Sequence, residues 1–102
     1  MPGFVTVATT DELTPGTAKQ VQVDGKTVAL FNLAGTYYAI DDTCTHRGGP
    51  LSEGAIEGEQ VTCPWHGAVF EITSGEVVGP PAPMGVGRYT VRVQGKNVEV
   101  EI

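Results

Sequence analysis

The sequence predicts one small all-β domain, a β-sandwich or small-barrel base carrying two short ligand-bearing loops. Three observations lead there. Short runs of β-branched and aromatic residues recur between Gly and Pro turns. No stretch keeps a helix-period apolar face for more than two turns. All cysteines and histidines of the 102-residue chain fall in two matching pairs, Cys44-Thr45-His46 and Cys63-Pro64-Trp65-His66.

Phe4 to Ala8 alternates as a first strand, and Thr9 to Leu13 reads as a helical turn ended by Pro15-Gly16. Ala18 to Val23, Asp24-Gly25 and Thr27 to Leu33 form a hairpin signal, because Asp-Gly suits a tight primed turn. Ala34-Gly35 turns the chain into Thr36 to Ile40, where Tyr37 and Tyr38 are expected as one core and one surface position. The meander stops at Asp41-Asp42, just before the first Cys/His pair. Gly54 to Gly58 reads as a glycine-punctuated connection and Val61-Thr62 as a short strand into Cys63. Ala68 to Ile72 alternates, Ser74-Gly75 turns, and Glu76 to Val78 returns. Gly79-Pro80-Pro81-Ala82-Pro83 can be neither helix nor central strand. A closing hairpin runs from Arg88 to Val93, turns over Gln94 to Asn97, and returns through Val98 to Ile102, with apolar side chains on one face and carboxylates on the other.

Length and composition give a single domain, 1–102, with the metal-binding part at about 43–83. A core of this size leaves little room for a deep substrate cavity. The net charge is −6, with the 12 carboxylates spread through the chain and no basic cluster to neutralise phosphate, which argues against nucleic acid. The acidity serves solubility or attraction to a basic docking face. No apolar run is long enough to span a bilayer, and the first residues lack the pattern of a secretory signal. The expectation is a cytoplasmic protein off the membrane, with monomer as the default state.

Each Cys/His pair offers one soft thiolate and one imidazole. Two of each are what a Rieske [2Fe–2S] centre needs, with two Cys on one iron and two His on the other. Replacing two thiolates by neutral imidazoles removes negative charge from the iron's shell and raises the potential above that of an all-Cys cluster. Glycines beside the ligands (Gly48, Gly49 and Gly67) would let backbone N–H groups approach the sulfurs. A Cys44–Cys63 disulfide would leave the histidines idle. A structural Cys2His2 zinc site uses the same ligand types, yet zinc fingers group cysteines with cysteines, and here the order is Cys, His, Cys, His.

Cys44-Thr45-His46-Arg47-Gly48-Gly49-Pro50-Leu51 and Cys63-Pro64-Trp65-His66-Gly67 resemble the two ligand boxes of Rieske [2Fe–2S] proteins. The likeness covers nearly the whole chain and is similar to the free-standing Rieske-type ferredoxins of bacterial ring-hydroxylating oxygenase systems. It implies one [2Fe–2S] cluster held by Cys44, His46, Cys63 and His66. It also implies a one-electron carrier, not an enzyme, that takes electrons from a NAD(P)H-dependent flavoprotein ferredoxin reductase and passes them to a terminal oxygenase, here of the aromatic-ring-hydroxylating dioxygenase kind. A Rieske-type small subunit of a nitrite-reductase-like assembly is the alternative, with the zinc module behind it. An oxygenase itself adds an iron bound by two His and a carboxylate, and both histidines here are already assigned to the cluster.

The related proteins of bc complexes carry an extra Cys in each box, joined as a disulfide that braces the loops. The matching positions here are Gly49 and Trp65. Where those proteins place Ser and Tyr hydroxyls against the cluster sulfurs, this chain has Ala68 and Phe70. Fewer donors to the sulfurs lower the potential, toward the low end of a range of roughly −150 to +300 mV. The segment from Gly79 to Pro83 resembles the proline loop that covers the cluster in this family, with an ordinary stiff connection as the alternative. Trp65 is a candidate shield, docking residue or packing residue, Arg47 a candidate docking residue, and Met84 a packing residue.

Overall fold

A computed structural model describes residues 3–23, 25–43, 50–65, 67–79 and 85–101. Eleven strands run in chain order: β1 (Phe4–Thr9), β2 (Thr17–Val23), β3 (Lys26–Leu33), β4 (Thr36–Asp41), β5 (Ala55–Glu57), β6 (Gln60–Thr62), β7 (Val69–Glu71), β8 (Val77–Gly79), β9 (Arg88–Tyr89), β10 (Val91–Gln94) and β11 (Asn97–Glu101). The helical content of the described residues is two single 3₁₀ turns, Thr10–Glu12 and Leu51–Glu53. No described helix is long and apolar enough to cross a membrane. The strands form three antiparallel sheets, ordered β1-β11-β10, β2-β3-β4-β9 and β5-β6-β7-β8.

The middle sheet is covered on both faces, and β3 shows why. Val28, Ala29, Leu30 and Phe31 are all 0% exposed. Successive side chains on a strand point to opposite faces. Ala29 and Phe31, with Ile40 of β4, join Leu51, Val61, Cys63, Ala68, Phe70 and Ile72 in one core. Val28 and Leu30, with Ala39, join Ala8, Leu13, Val21, Val23, Val98 and Val100 in the other. A near-continuous apolar run is what two-sided burial demands. The two tyrosines of β4 follow the same rule. Tyr38 packs on the first core and Tyr37 on the second, so the expected surface position is also a packed one.

The hairpin turns follow local chemistry. Val23 pairs with Lys26 across a two-residue turn in which Gly25 has φ +81°, while Asp24 lies outside the described residues. Leu33 pairs with Thr36 across Ala34-Gly35, and both turn residues have positive φ, +54° and +95°. That is the primed-turn requirement, met by an alanine in a conformation that costs it roughly 1–2 kcal/mol. Asn32, 2% exposed, steadies this turn by accepting the Gly35 N–H at 2.8 Å. Its Nδ2 donates to the Leu13 carbonyl at the same distance, which ties in the chain between β1 and β2.

Three segments differ from the sequence reading. Gly54 to Gly58 is not only a connection, because Ala55–Glu57 pairs with Gln60–Thr62 as a strand. Its glycine-flanked run of three residues is too short to show alternation. The strand expected from Arg88 to Val93 breaks at Thr90: Arg88 and Tyr89 pair with Ile40 and Ala39 in the middle sheet, whereas Val91 to Gln94 pair with β11 in another. Periodicity does not reveal a strand that changes partners. In β1 the register shifts between Thr6 and Ala8, and this bulge moves both Val7 and Ala8 onto the core. Elsewhere the closing strand alternates as expected, with Val98 and Val100 at 0% exposure and Glu99 paired to Arg92 at 2.6 Å. Ile102 lies outside the described residues.

Candidate metal centre

Of the four predicted ligands, Cys44, His46 and His66 lie outside the described residues, as do Arg47, Gly48, Gly49, Pro80 to Pro83 and Met84. Cys63 is described, and its surroundings can be built from the chain. Strand β6 delivers it to the start of a tight loop, and β7 resumes at Val69. The Cys63 N–H donates to the Ala68 carbonyl at 2.7 Å, and the Gly67 N–H donates to the Cys63 carbonyl at 3.2 Å. Gly67 has φ +78°, a region that excludes most side chains, so glycine makes this return possible. Its N–H closes the turn on the Cys63 carbonyl.

The Cys63 thiol is free and the residue is 2% exposed, packed in the core with Ala68 and Phe70. Ala68 and Phe70 are themselves 0% exposed and carry no hydroxyl, so neither side chain offers a sulfur a hydrogen bond. Bare thiolate charge is costly in such apolar surroundings. Bound iron would neutralise that charge, so this sulfur fits a metal–sulfur centre. No group of three His, Cys, Asp or Glu gathers among the described residues, which hold one of the four predicted ligands.

Trp65 is 58% exposed. The residue is thus largely turned to solvent, two positions beyond Cys63. Exposed indoles are enriched where proteins meet partners.

A family model described as the Rieske [2Fe-2S] domain matches residues 3–90. The chain belongs to the Rieske [2Fe–2S] domain family. This Rieske domain is 37% identical over 99 residues to the biphenyl dioxygenase ferredoxin subunit of Pseudomonas sp. (strain KKS102), covering 96% of this chain and 91% of that one. In the solved complex of reduced oxygenase and oxidized ferredoxin in carbazole 1,9a-dioxygenase, the matching chain superposes with a TM-score of 0.89 at 32% identity, covering 95% and 91% of the two chains. A proposed NADH-dependent nitrite reductase small subunit from Mycobacterium tuberculosis superposes with a TM-score of 0.90 at 26% identity, covering 100% and 96%.

Around the Rieske domain's first ligand box the structure assigns work to residues that sequence reading passed over. Thr43 and Pro50 form a bridge that closes the ends of 44–49. Asp42, 2% exposed, accepts the Ser52 N–H on Oδ1 and Gln20 Nε2 on Oδ2, both at 2.7 Å. Asp41 accepts the Gly87 N–H on Oδ2 at 2.8 Å and the Tyr89 hydroxyl on Oδ1 at 2.5 Å. Burial, followed by the hydrogen bond and charge of Asp41, pushes Tyr89 up to about 12. The adjacent carboxylates at a strand end were a visible signal. Their partners, up to 48 residues away, were not.

Proposed function

We propose that this Rieske domain is a one-electron carrier, a ferredoxin that serves a terminal oxygenase of the aromatic-ring-hydroxylating dioxygenase kind. The observation that carries the reading is the near end-to-end match, 96% of this chain with 91% of a dioxygenase ferredoxin subunit. Cys44, His46, Cys63 and His66 would hold the cluster, in the part of the single domain at about 43–83. When bound, the [2Fe–2S] group supplies a site that accepts and returns one electron. The protein's own contribution is to hold Cys63 at a fixed turn, wall it with Ala68 and Phe70, and present Trp65 outward.

Electrons would arrive from a NAD(P)H-dependent flavoprotein reductase, and the carrier would act in the cytoplasm as a monomer. Residues 48–87 contain five glutamates, Glu53, Glu57, Glu59, Glu71 and Glu76, and no Lys, Arg or Asp. Nearly all of the net charge of −6 is therefore carried by this segment, which includes β5 to β8. Charge on that side supports steering toward a basic docking face, and the encounter rate should fall as salt rises.

The test is the anaerobically purified protein. Expected are iron and sulfide in about equal amounts, a red-brown colour, a Rieske-type EPR signal that appears only after dithionite, and oxygenase turnover restored by adding the carrier. The midpoint potential is expected toward the low end of roughly −150 to +300 mV. A colourless, zinc-loaded, EPR-silent protein would refute the reading. The fit to the nitrite reductase small subunit favours a second reading, a subunit of such an assembly. It would be preferred if the loaded protein failed to support the oxygenase yet co-purified with a reductase of nitrite.

A further inference from the structure

Two consecutive carboxylates at the end of β4 fasten two different segments. Asp42 is anchored in the middle sheet by its own N–H, which donates to the Thr27 carbonyl at 3.1 Å. Its carboxylate holds Ser52 N–H and Gln20, and its carbonyl accepts the Leu51 N–H at 2.6 Å. The chain that enters 44–49 and the chain that leaves it are thus tied to one residue.

Asp41 does the same for the segment that returns after 80–84. Beyond its carboxylate bonds to Gly87 and Tyr89, its N–H donates to the Gly87 carbonyl at 2.9 Å. A Cβ on Gly87 would lie 2.8 Å from Asp41 Oδ2, so the close approach relies on the missing side chain. The same return is stitched to the turn between β7 and β8, where the Val86 N–H donates to the Gly75 carbonyl at 2.7 Å.

Both cysteines of this chain are assigned to the cluster, so none remains to brace the loops covalently. Hydrogen bonds to a carboxylate are about twice as strong as neutral ones. Four donors, two backbone and two side-chain, converge on two adjacent carboxylates of one strand end: Ser52 N–H, Gly87 N–H, Gln20 Nε2 and the Tyr89 hydroxyl. We propose that Asp41 and Asp42 together are the brace of the cluster-bearing end, Asp42 positioning the first ligand loop and Asp41 the segment that returns from the prolines. The proposal rests on the ligand assignment above. Neither aspartate touches the cluster in this scheme; both are positioning residues.

The experiment uses the loaded full-length protein and the variants Asp42→Ala and Asp41→Ala, with Asp42→Asn and Tyr89→Phe as milder changes should either alanine variant fail to fold. Amide hydrogen exchange is followed at Ser52, at Gly87, and at Val98 and Val100 in the outer sheet. The half-life of the visible cluster absorbance is read on the same samples, together with the spread of the reduced EPR signal. Asp42→Ala should speed exchange at Ser52 by about 10- to 100-fold with Val98 and Val100 unchanged, and Asp41→Ala should do the same at Gly87. Each should also shorten the cluster half-life at least about 10-fold and broaden the EPR signal, with a smaller shift in the same direction for the milder variants. Unchanged half-lives would overturn the brace. So would faster exchange at Val98 and Val100 to the same degree, which marks general destabilisation. A wild-type protein that holds no cluster would sink the functional reading itself. A loaded protein whose variants keep their clusters sinks the brace alone.

Discussion

Tyr89 offers a direct measurement on the Asp41 contact. Its hydroxyl donates to Asp41 Oδ1, and burial together with that carboxylate raises it from 10.0 to about 12. The folded state therefore holds a proton that the unfolded chain releases earlier. The contribution to stability is whole below about pH 10, where both states keep the proton, and is lost as pH rises toward 12. Two units at face value would correspond to roughly 2.7 kcal/mol. Water reaches part of this ring, so the contribution is discounted to about 1 kcal/mol.

The assay is ultraviolet titration of tyrosinate in the folded protein, with urea unfolding across the same pH range. The chain has three tyrosines, and one step near 12 should disappear in Tyr89→Phe. Asp41→Asn should move that step down only part of the way, because burial, the larger cause, remains. If Asp41→Asn leaves the step where it is, or all three tyrosines titrate together near the free-residue value of about 10, the account of this contact is wrong.

Three other expectations concern the turns and the loop base. Ala34→Gly relieves a positive φ of +54° and, after the added flexibility of the unfolded chain, should stabilise by about 0.5–1 kcal/mol; a lower thermal midpoint would contradict the turn assignment. Gly75→Ala places a Cβ 2.4 Å from the Val86 carbonyl oxygen at φ +79°, and should cost about 2–4 kcal/mol, read as a fall of about 10 °C or more in midpoint. Ser52 Oγ is buried without a partner among the described residues, so Ser52→Ala should be neutral or stabilise by up to about 1 kcal/mol, and a clear loss in denaturant midpoint would reveal an unseen partner.

Much of this architecture was legible because its signals are local. Val23-Asp24-Gly25-Lys26 and Leu33-Ala34-Gly35-Thr36 announce two-residue turns, and the paired registers on either side agree with them. The two Cys/His pairs were legible for a different reason: with two residues of each type in the chain, their fall into two Cys-then-His pairs favoured a Rieske-type ligand set over a disulfide or a zinc site. Non-local facts were hidden. Tyr37 and Tyr38 were expected to divide between core and surface because alternation assumes one wet face, and the middle sheet has none. The break at Thr90 is set by which sheet each half of the segment joins. Asp41 and Asp42 mark in the sequence only where the meander stops, because their partners lie 10 to 48 positions away.

The two-sided middle sheet also decides how the ligand-bearing part can be stable. Each strand of its sheet, β5 to β8, is three residues long. Strands of that length cannot hold a sheet together in water without a packed face. That face is supplied by Ala29, Phe31 and Ile40 of the middle sheet, which close over Val61, Phe70 and Ile72. Each of the Val, Ile and Phe side chains among them, fully buried, contributes roughly 1.5–3 kcal/mol. The layer that presents Cys63 is thus distinct in position but borrows its core from β3 and β4. The opposite face of β3 is in turn held by Val98 and Val100 at the end of the chain. The layer that presents Cys63 and the terminal hairpin therefore pack on opposite faces of the same two strands, β3 and β4.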